Sequence, residues 1–453
     1  MLRRVILFAV AAFAAVAAAP EGPLYGADRP NVVVILSDDH RWDGVGAAGN
    51  PHVVTPNLDR LAREGVHFWQ AVAHIPQCSP NRAAILTGLP PHQNGWYSNQ
   101  SQRKELVKPD GLVSRYPMLP RLLQEAGYHT AFVGKWHLPQ EPWLAGFADV
   151  RTWLPGGGGP YIDLPVARGQ SRQLTPASGF TQEVFTDDAV EYLKGEAARK
   201  QPFFLWLALT APHGPFQPNP ERIQKLYAGK PAESLLPPGF DRTSKMANWT
   251  TYYEAITSAD EQVGRLMKAL DDRKLTRNTI VIFMGDNGFM MNSRGWNGKV
   301  IPYEESVRVP LVIHAPMLAK FEGRTDAAAT SLDLPVSIAR WAGAKVPSEW
   351  TGRDLTDALR SKRDHKLAHA IVEFPDTTSK EFGQYAYRSI RTPATKLILW
   401  EAESKRDELY DLRKDPRETT NLVDDPDYDK IEAELRSHLE AWMKRTGDTF
   451  RRR

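Results

Sequence analysis

The 453-residue sequence predicts an α/β fold: a large, mostly parallel sheet covered by helices on both faces, with a smaller C-terminal α+β subdomain. Short apolar runs alternate with amphipathic stretches, the pattern of strands buried on both faces and joined by helices. Polar motifs recur just after the apolar runs, at the carboxyl ends of strands, where open α/β sheets bind ligands. Between about Gly352 and Phe382 regular periodicity fades into charged sequence, which marks off a second unit.

Residues 1–19 read as a secretory signal peptide: Met1-Leu2-Arg3-Arg4, then apolar Val5 to Val16, then Ala17-Ala18-Ala19. The apolar run is too short to span a bilayer comfortably. No cysteine follows it to carry lipid, so the expectation is an exported protein, periplasmic or secreted, with no stable membrane insertion after signal cleavage. A catalytic unit is expected over 28–355. Its strands are Val32–Leu36, Thr130–Val133, Phe203–Leu209, Thr279–Met284 and Leu311–His314, and its helices begin near Pro56, Pro80, Met118, Thr181, Tyr252 and Ser331. The Pro- and Gly-rich stretch from about Trp153 to Phe180, with Gly156 to Gly159 inside it, reads as a long surface loop. In the second unit, 356–453, Tyr385–Ile390 and Lys396–Trp400 read as strands, Glu408-Leu409-Tyr410-Asp411 closes them, and Asp427–Arg445 reads as a helix. The net charge of +3 is thinly spread and gives no basis for a nucleic-acid partner; Arg451-Arg452-Arg453 reads as a solvated tail.

Cys78 is the only cysteine, so it cannot form an internal disulfide and serves packing, metal binding or chemistry. It opens the run Cys78-Ser79-Pro80-Asn81-Arg82-Ala83-Ala84-Ile85-Leu86-Thr87-Gly88. Pro80 suits the first turn of a helix. Cys78 then stands at a helix N-terminus, beside N–H groups that favour negative charge, with Arg82 one turn on.

This run resembles the signature of the type I, formylglycine-dependent sulfatases of the alkaline-phosphatase-like superfamily. The resemblance extends in order from about Asn31 to Leu422. It implies that Cys78 is oxidised to formylglycine by a formylglycine-generating or maturase enzyme. The aldehyde hydrates to a geminal diol, one hydroxyl of which attacks the sulfur of a sulfate ester. The second hydroxyl then collapses the sulfated hemiacetal and releases sulfate.

Two motifs offer metal ligands: Asp38-Asp39 in Ser37-Asp38-Asp39-His40, and Asp286-Asn287 between Gly285 and Gly288. Adjacent carboxylates on a continuing strand point to opposite faces, so they converge only if the strand ends there. Three carboxylates and an amide oxygen form a hard set suited to Ca²⁺ or Mg²⁺ rather than zinc. Both motifs match sulfatase ligand positions, and the resemblance favours Ca²⁺, with an oxygen of the modified Cys78 and a sulfate oxygen completing the shell.

A sulfuryl group in transfer needs fixed positive groups at its oxygens. The candidates are Arg82, Lys135 in Gly134-Lys135-Trp136-His137, and Lys299. The resemblance implies that Arg82 and Lys135 hold the formylglycine and sulfate, and that His137 takes the proton that triggers hemiacetal collapse. His213, in Thr210-Ala211-Pro212-His213, and Lys299, before Tyr303-Glu304-Glu305-Ser306-Val307-Arg308-Val309-Pro310, are the implied contacts to the bridging oxygen and leaving alcohol.

Two departures stand out. Pro139 replaces a glycine common after the Lys-Trp-His-Leu run, and Asn292-Ser293-Arg294-Gly295 lacks the acidic residue and histidine frequent before that glycine. Arg294 is therefore a candidate to meet an anionic substrate group, against the alternative of a surface arginine. Trp42, Trp96, Tyr97 and Trp296 lie near the motifs and are candidates to stack on sugar rings, although aromatics are more often core. The expected substrate is a sulfate ester, with a sulfated glycan preferred over a small ester. The alternatives are a formylglycine-dependent phosphodiester or phosphonate monoester hydrolase and, from another class, an inactive exported carbohydrate-binding protein suggested by the 13 tryptophans.

Overall fold

The computed structural model describes residues 29–195, 201–238, 240, 248–362, 367–375, 386–402 and 404–451. The expected signal peptide 1–19, the boundary residue Phe382, the strand start at Tyr385 and the tail residues Arg452 and Arg453 lie outside the described residues.

The apolar runs pair as strands. In chain order these are β1 (Asn31–Ser37), β2 (Val66–Phe68), β3 (His129–Lys135), β4 (Asp149–Leu154), β5 (Pro165–Arg168), β6 (Thr175–Pro176), β7 (Phe203–Ala208), β8 (Thr279–Gly285), β9 (Leu311–His314) and β10 (Gly323–Thr325). They form one 10-stranded sheet in the order β10-β2-β9-β8-β1-β7-β3-β4-β5-β6. The centre, β8-β1-β7-β3-β4, is parallel. Antiparallel pairs join β9 to β8 and β2 on one side and β5 to β4 and β6 on the other.

Alternate residues of β1 feed different cores, which is why the whole strand is apolar. Val32, Val34 and Leu36 pack with Ile85, Leu119, Leu123, Ile338 and Trp341, from the helices Cys78–Thr87, Leu119–Glu125 and Asp333–Trp341. Val33 and Ile35 pack with Leu58, Phe185, Ala189, Ala259 and Val263, from the helices Pro56–Glu64, Thr181–Lys194 and Trp249–Asp272.

The expectation of a strandless loop over Trp153 to Phe180 is corrected. The segment begins within β4 and carries β5 and β6, with a further bridge between Ile162 and Phe180. Its strands lie toward one side of the sheet, with β6 at the edge, and are two to six residues long, too short for an alternation to stand out against Gly and Pro.

The second sheet is antiparallel, in the order β11 (Ala370–Phe374), β12 (Tyr387–Arg391), β13 (Thr395–Trp400) and β14 (Glu408–Asp411). One face packs Ile371, Ile390 and Leu397 on Leu435, Leu439 and Trp442 of the helix Asp429–Thr446. The other face sets Val372, Phe374 and Tyr387 against Val72, Val300 and Val307 of the first unit. Glu304 fastens the same junction, accepting from Arg391 at 2.8 and 2.7 Å and from Lys396 at 3.1 Å.

Candidate active site

Parallel strands deliver their carboxyl ends to one edge of the sheet. Ser37 at the end of β1 pairs with Gly285 at the end of β8, so Asp38-Asp39 and Asp286-Asn287 leave the sheet side by side. β1 stops at Ser37 and Asp39 turns into left-handed backbone at φ 59°, which lets neighbouring carboxylates face one pocket. The glycines of the second motif work through space rather than positive φ. A Cβ on Gly288 would lie 2.1 Å from the Glu305 carbonyl oxygen. Gly134 does need its freedom: at φ 105° it passes so close to β7 that a Cβ would sit 1.9 Å from the Ala208 oxygen.

The helix opened by Cys78 is buried along its whole length. Ligand atoms of Cys78, Asp38 and Asp39 lie within 4.8 Å of one another. The Lys299 ammonium is 3.1 Å from the Cys78 sulfur and also contacts Asp39. Lys135, at the end of β3 and fully buried, contacts Asp38. His213 Nε2 stands 3.9 Å from Asp39 Oδ2, while its Nδ1 meets the Gly214 carbonyl at 2.9 Å. His137 follows β3 in left-handed backbone at φ 60° and its carbonyl accepts from the Ser79 hydroxyl at 2.7 Å, which pins it to the Cys78 helix.

Arg82 is anchored at the pocket through Asp286 and the Lys135 carbonyl. Its Nε and Nη2 donate to Asp286 Oδ2 at 3.1 and 2.8 Å, and Nη1 donates to the Lys135 carbonyl at 2.6 Å. It therefore orients a carboxylate and the end of β3. The Arg294 guanidinium lies 3.8 Å from the centre of the Tyr303 ring, and Nη1 donates to the Arg417 carbonyl at 3.0 Å and to that of Glu418. These contacts tie it to the second unit. Of the four aromatic candidates, Trp96 is buried and donates to Ser79, and Trp42 lies under the Arg308 guanidinium; Tyr97 accepts from Arg103, while Trp296 is 38% exposed.

Several neighbours escaped sequence reading. Asn99 brings Nδ2 to 3.8 Å from the Cys78 sulfur and is held by Ser79 and Gln77. Asn81 donates to the Asp286 carbonyl at 2.6 Å, Tyr252 to the Asp39 carbonyl at 2.7 Å and Tyr161 to the His213 carbonyl at 2.8 Å. Asn81 lies inside the cysteine motif and so carried a signal. The others are brought in by tertiary structure alone.

Burial and the cations Lys135, Arg82 and Lys299 hold the His137 imidazole far below its ordinary pKa, so it is neutral. Burial opposes charge on Lys299, but Asp39 and Cys78 outweigh it and raise the ammonium well above its usual value. Burial and the neighbouring Asp38 push Asp286 up against the pull of Arg82.

The donor set fits a hard divalent cation. Asp38 Oδ1 and Asn287 Oδ1 are buried oxygens with no hydrogen-bond partner among the described residues, next to the carboxylates of Asp39 and Asp286. The three carboxylates are matched in charge by Arg82, Lys135 and Lys299, so a divalent ion would leave the pocket positive, the polarity an anionic ester needs.

Sheet order and the polar edge together define an enzyme of the alkaline-phosphatase-like superfamily. Within it, the chain belongs to the sulfatase family, whose sequence model matches residues 30–344. A second model, for the N-sulphoglucosamine sulphohydrolase C-terminal region, matches residues 292–445. An ulvan-active sulfatase of Formosa agariphila is 30% identical over 443 residues, covering 94% of this chain and 83% of its own. The N-acetylgalactosamine-6-sulfatase of Canis lupus familiaris is 32% identical over 373 residues, covering 73% and 66%. A solved structure in complex with its substrate D-glucosamine-2-N,6-O-disulfate superimposes with a TM-score of 0.77 at 25% identity, over 93% of this chain and 99% of that one. The protein is a sulfatase, a hydrolase of sulfate esters. No helix among the described residues is long and apolar enough to cross a membrane.

Proposed function

We propose that this sulfatase removes sulfate from a sulfated carbohydrate, using a formylglycine made from Cys78 and a bound Ca²⁺, with Mg²⁺ the alternative. One observation carries the reading: the Cys78 sulfur lies among Asp38, Asp39 and the Lys299 ammonium at a helix N-terminus. The ulvan-active and amino-sugar sulfatase relatives support a glycan as substrate class. Asp38, Asp39, Asp286 and Asn287 would hold the cation, with an oxygen of the modified Cys78. When bound it would polarise the sulfate and favour the ionised nucleophile.

One hydroxyl of the hydrated aldehyde forms a bond to sulfur as the bond to the alcohol oxygen breaks. Lys135, 0% exposed beside Asp38, and Lys299, beside Asp39, supply fixed positive charge to the sulfuryl oxygens. His213, with Nε2 3.9 Å from Asp39 Oδ2, would meet the leaving alcohol and deliver the proton it needs. His137, kept neutral by its surroundings, takes the proton of the remaining hydroxyl; the carbonyl re-forms, its bond to the sulfated oxygen breaks and sulfate leaves. Water then rehydrates the aldehyde. Conversion of Cys78 by a maturase, export after loss of residues 1–19, and division into units 28–355 and 356–453 complete the reading; the separate antiparallel sheet from Ala370 onward supports the last.

Mass analysis of the peptide containing Cys78 tests the modification, and parallel turnover of a sulfate ester and a phosphodiester tests the ester class. A free thiol in fully active enzyme, or preferred phosphodiester turnover, would reject the reading. The histidine roles predict a further split. His137→Ala will accumulate sulfated enzyme after a burst of alcohol. His213→Ala will slow the first step by about 10²- to 10⁴-fold for poor leaving groups and far less for good ones. Rapid-quench measurement with both ester types checks this, and identical behaviour of the two variants would overturn the assignment.

A further inference from the structure

The Gly156–Gly159 run has no role in the chemistry above, yet it lies directly against it. A Cβ built on Gly157 would sit 2.8 Å from both Cε1 and Nε2 of His137. One built on Gly158 would sit 2.9 Å from Nδ1 and 3.0 Å from Cε1 of His213. Consecutive glycines therefore face the two histidines to which the two half-reactions are assigned. Neither glycine has positive φ, so it is space beside the imidazoles, not backbone conformation, that excludes a side chain.

The backbone here has little room to retreat. On one side it leaves β4 at Leu154, after Trp153, which is 1% exposed. On the other, Thr181 donates its N–H to the Tyr161 carbonyl at 2.9 Å and its hydroxyl to the Pro160 carbonyl at 3.2 Å. The Tyr161 hydroxyl closes the circuit on the His213 carbonyl at 2.8 Å. The His137 Nδ1 is buried with no hydrogen-bond partner among the described residues, so no such bond at that atom fixes the ring.

We propose that Gly157 and Gly158 are positioning residues of this sulfatase: bare backbone packed on His137 and His213 sets the two imidazole planes, one for release of sulfate and the other for release of the alcohol. The proposal rests on the histidine roles above. It makes Gly157 and Gly158, the middle pair of the tetraglycine, a wall of the active site rather than a surface spacer. An added methyl at either position must turn or push a ring, because contacts under 3.0 Å are not sustained. Misplacement by about 1 Å costs on the order of 10²-fold in rate.

The test compares Gly157→Ala, Gly158→Ala and Gly156→Ala, the last a control because nothing lies within 4 Å of its Cβ. His137→Ala and His213→Ala are measured beside them with sulfate esters of good and poor leaving alcohols. Gly157→Ala should slow sulfate release about 10- to 100-fold and accumulate sulfated enzyme after an alcohol burst. Gly158→Ala should steepen the dependence on leaving group, with a loss of about 10- to 100-fold for the poor one. Gly156→Ala should match wild type. Crystal structures of the two variants should show His137 and His213, respectively, displaced. Unmoved rings with wild-type kinetics would overturn the proposal. So would a loss that follows a lower Tm in all three variants with step and leaving-group dependence unchanged. If instead the histidine variants fail to separate the half-reactions, the assigned roles fall, and ring displacement with loss confined to Gly157→Ala and Gly158→Ala still decides the positioning claim.

Discussion

Cys78→Ser will lose steady-state turnover by about 10³-fold or more, because in the proposed cycle it removes the nucleophile and not an auxiliary. A serine hydroxyl at the same helix N-terminus keeps the surrounding charges: Lys299, 3.1 Å from the present sulfur, and the buried Asp38 and Asp39. Attack on sulfur remains conceivable for a serine activated there, so alcohol appears at most once per enzyme molecule. The serine sulfate that results has no second hydroxyl on the same carbon. His137 then has no proton to take, and the ester persists until water attacks it. Intact-mass measurement after incubation with substrate reads the trapped adduct, and steady-state assay reads the loss. A serine variant that turns over many times at close to the wild-type rate would show that the diol plays no part. The variant should fold, since the exchange is nearly isosteric and the helix is held by Ile85 and Leu86 in the core and by Arg82 on Asp286.

What could be seen in the sequence follows from how local each cause is. The five interior strands are continuous apolar runs because both of their faces are covered, and they were legible for that reason. β2 and β10, three residues each, and β11 are legible only once their partners are known. The pocket was legible where motifs stand directly after those strands, as with Asp38, Asp39, Lys135, Asp286 and Asn287. It was less so where one side chain had to choose among partners. The motif gives Arg82 and Arg294 cationic forks but not their acceptors; packing brings Arg82 to Asp286 and Arg294 to Tyr303 and the turn at Glu418. Asn99 and Tyr161 lie outside every motif and reach the site through loops. The glycine run was visible as composition, while its contacts with two histidines depend on where β4 ends and where Tyr161 is anchored.

Removal of the divalent ion is expected to abolish activity and lower stability together, because the same residues answer for both. Asp38, Asp39 and Asp286 are 0–1% exposed, and Asp38 Oδ1 and Asn287 Oδ1 have no hydrogen-bond partner among the described residues. Buried oxygens of this kind cost free energy unless a donor or cation meets them. An ion that binds only the folded chain stabilises it by about 2.7 kcal/mol at 100 times its dissociation constant. For a chain of 453 residues that corresponds to a rise in Tm of about 3 °C. Exhaustive chelation should therefore remove turnover and lower Tm, and Ca²⁺ should restore both. Asn287→Ala separates this from a general effect of salt: it deletes one neutral oxygen, together with the N–H groups given to Asp39 Oδ1 and the Gly288 carbonyl, leaves every charge in place, and should shift the Tm response to higher Ca²⁺ concentration. The buried Arg82–Asp286 pair makes Asp286→Asn a poorer probe, since it strands a guanidinium that is 2% exposed. Full activity in protein shown to be metal-free by elemental analysis, or a Tm indifferent to Ca²⁺ in the wild type, would mean that Arg82, Lys135 and Lys299 neutralise the carboxylates unaided, and that the sulfuryl oxygens are held by side chains alone.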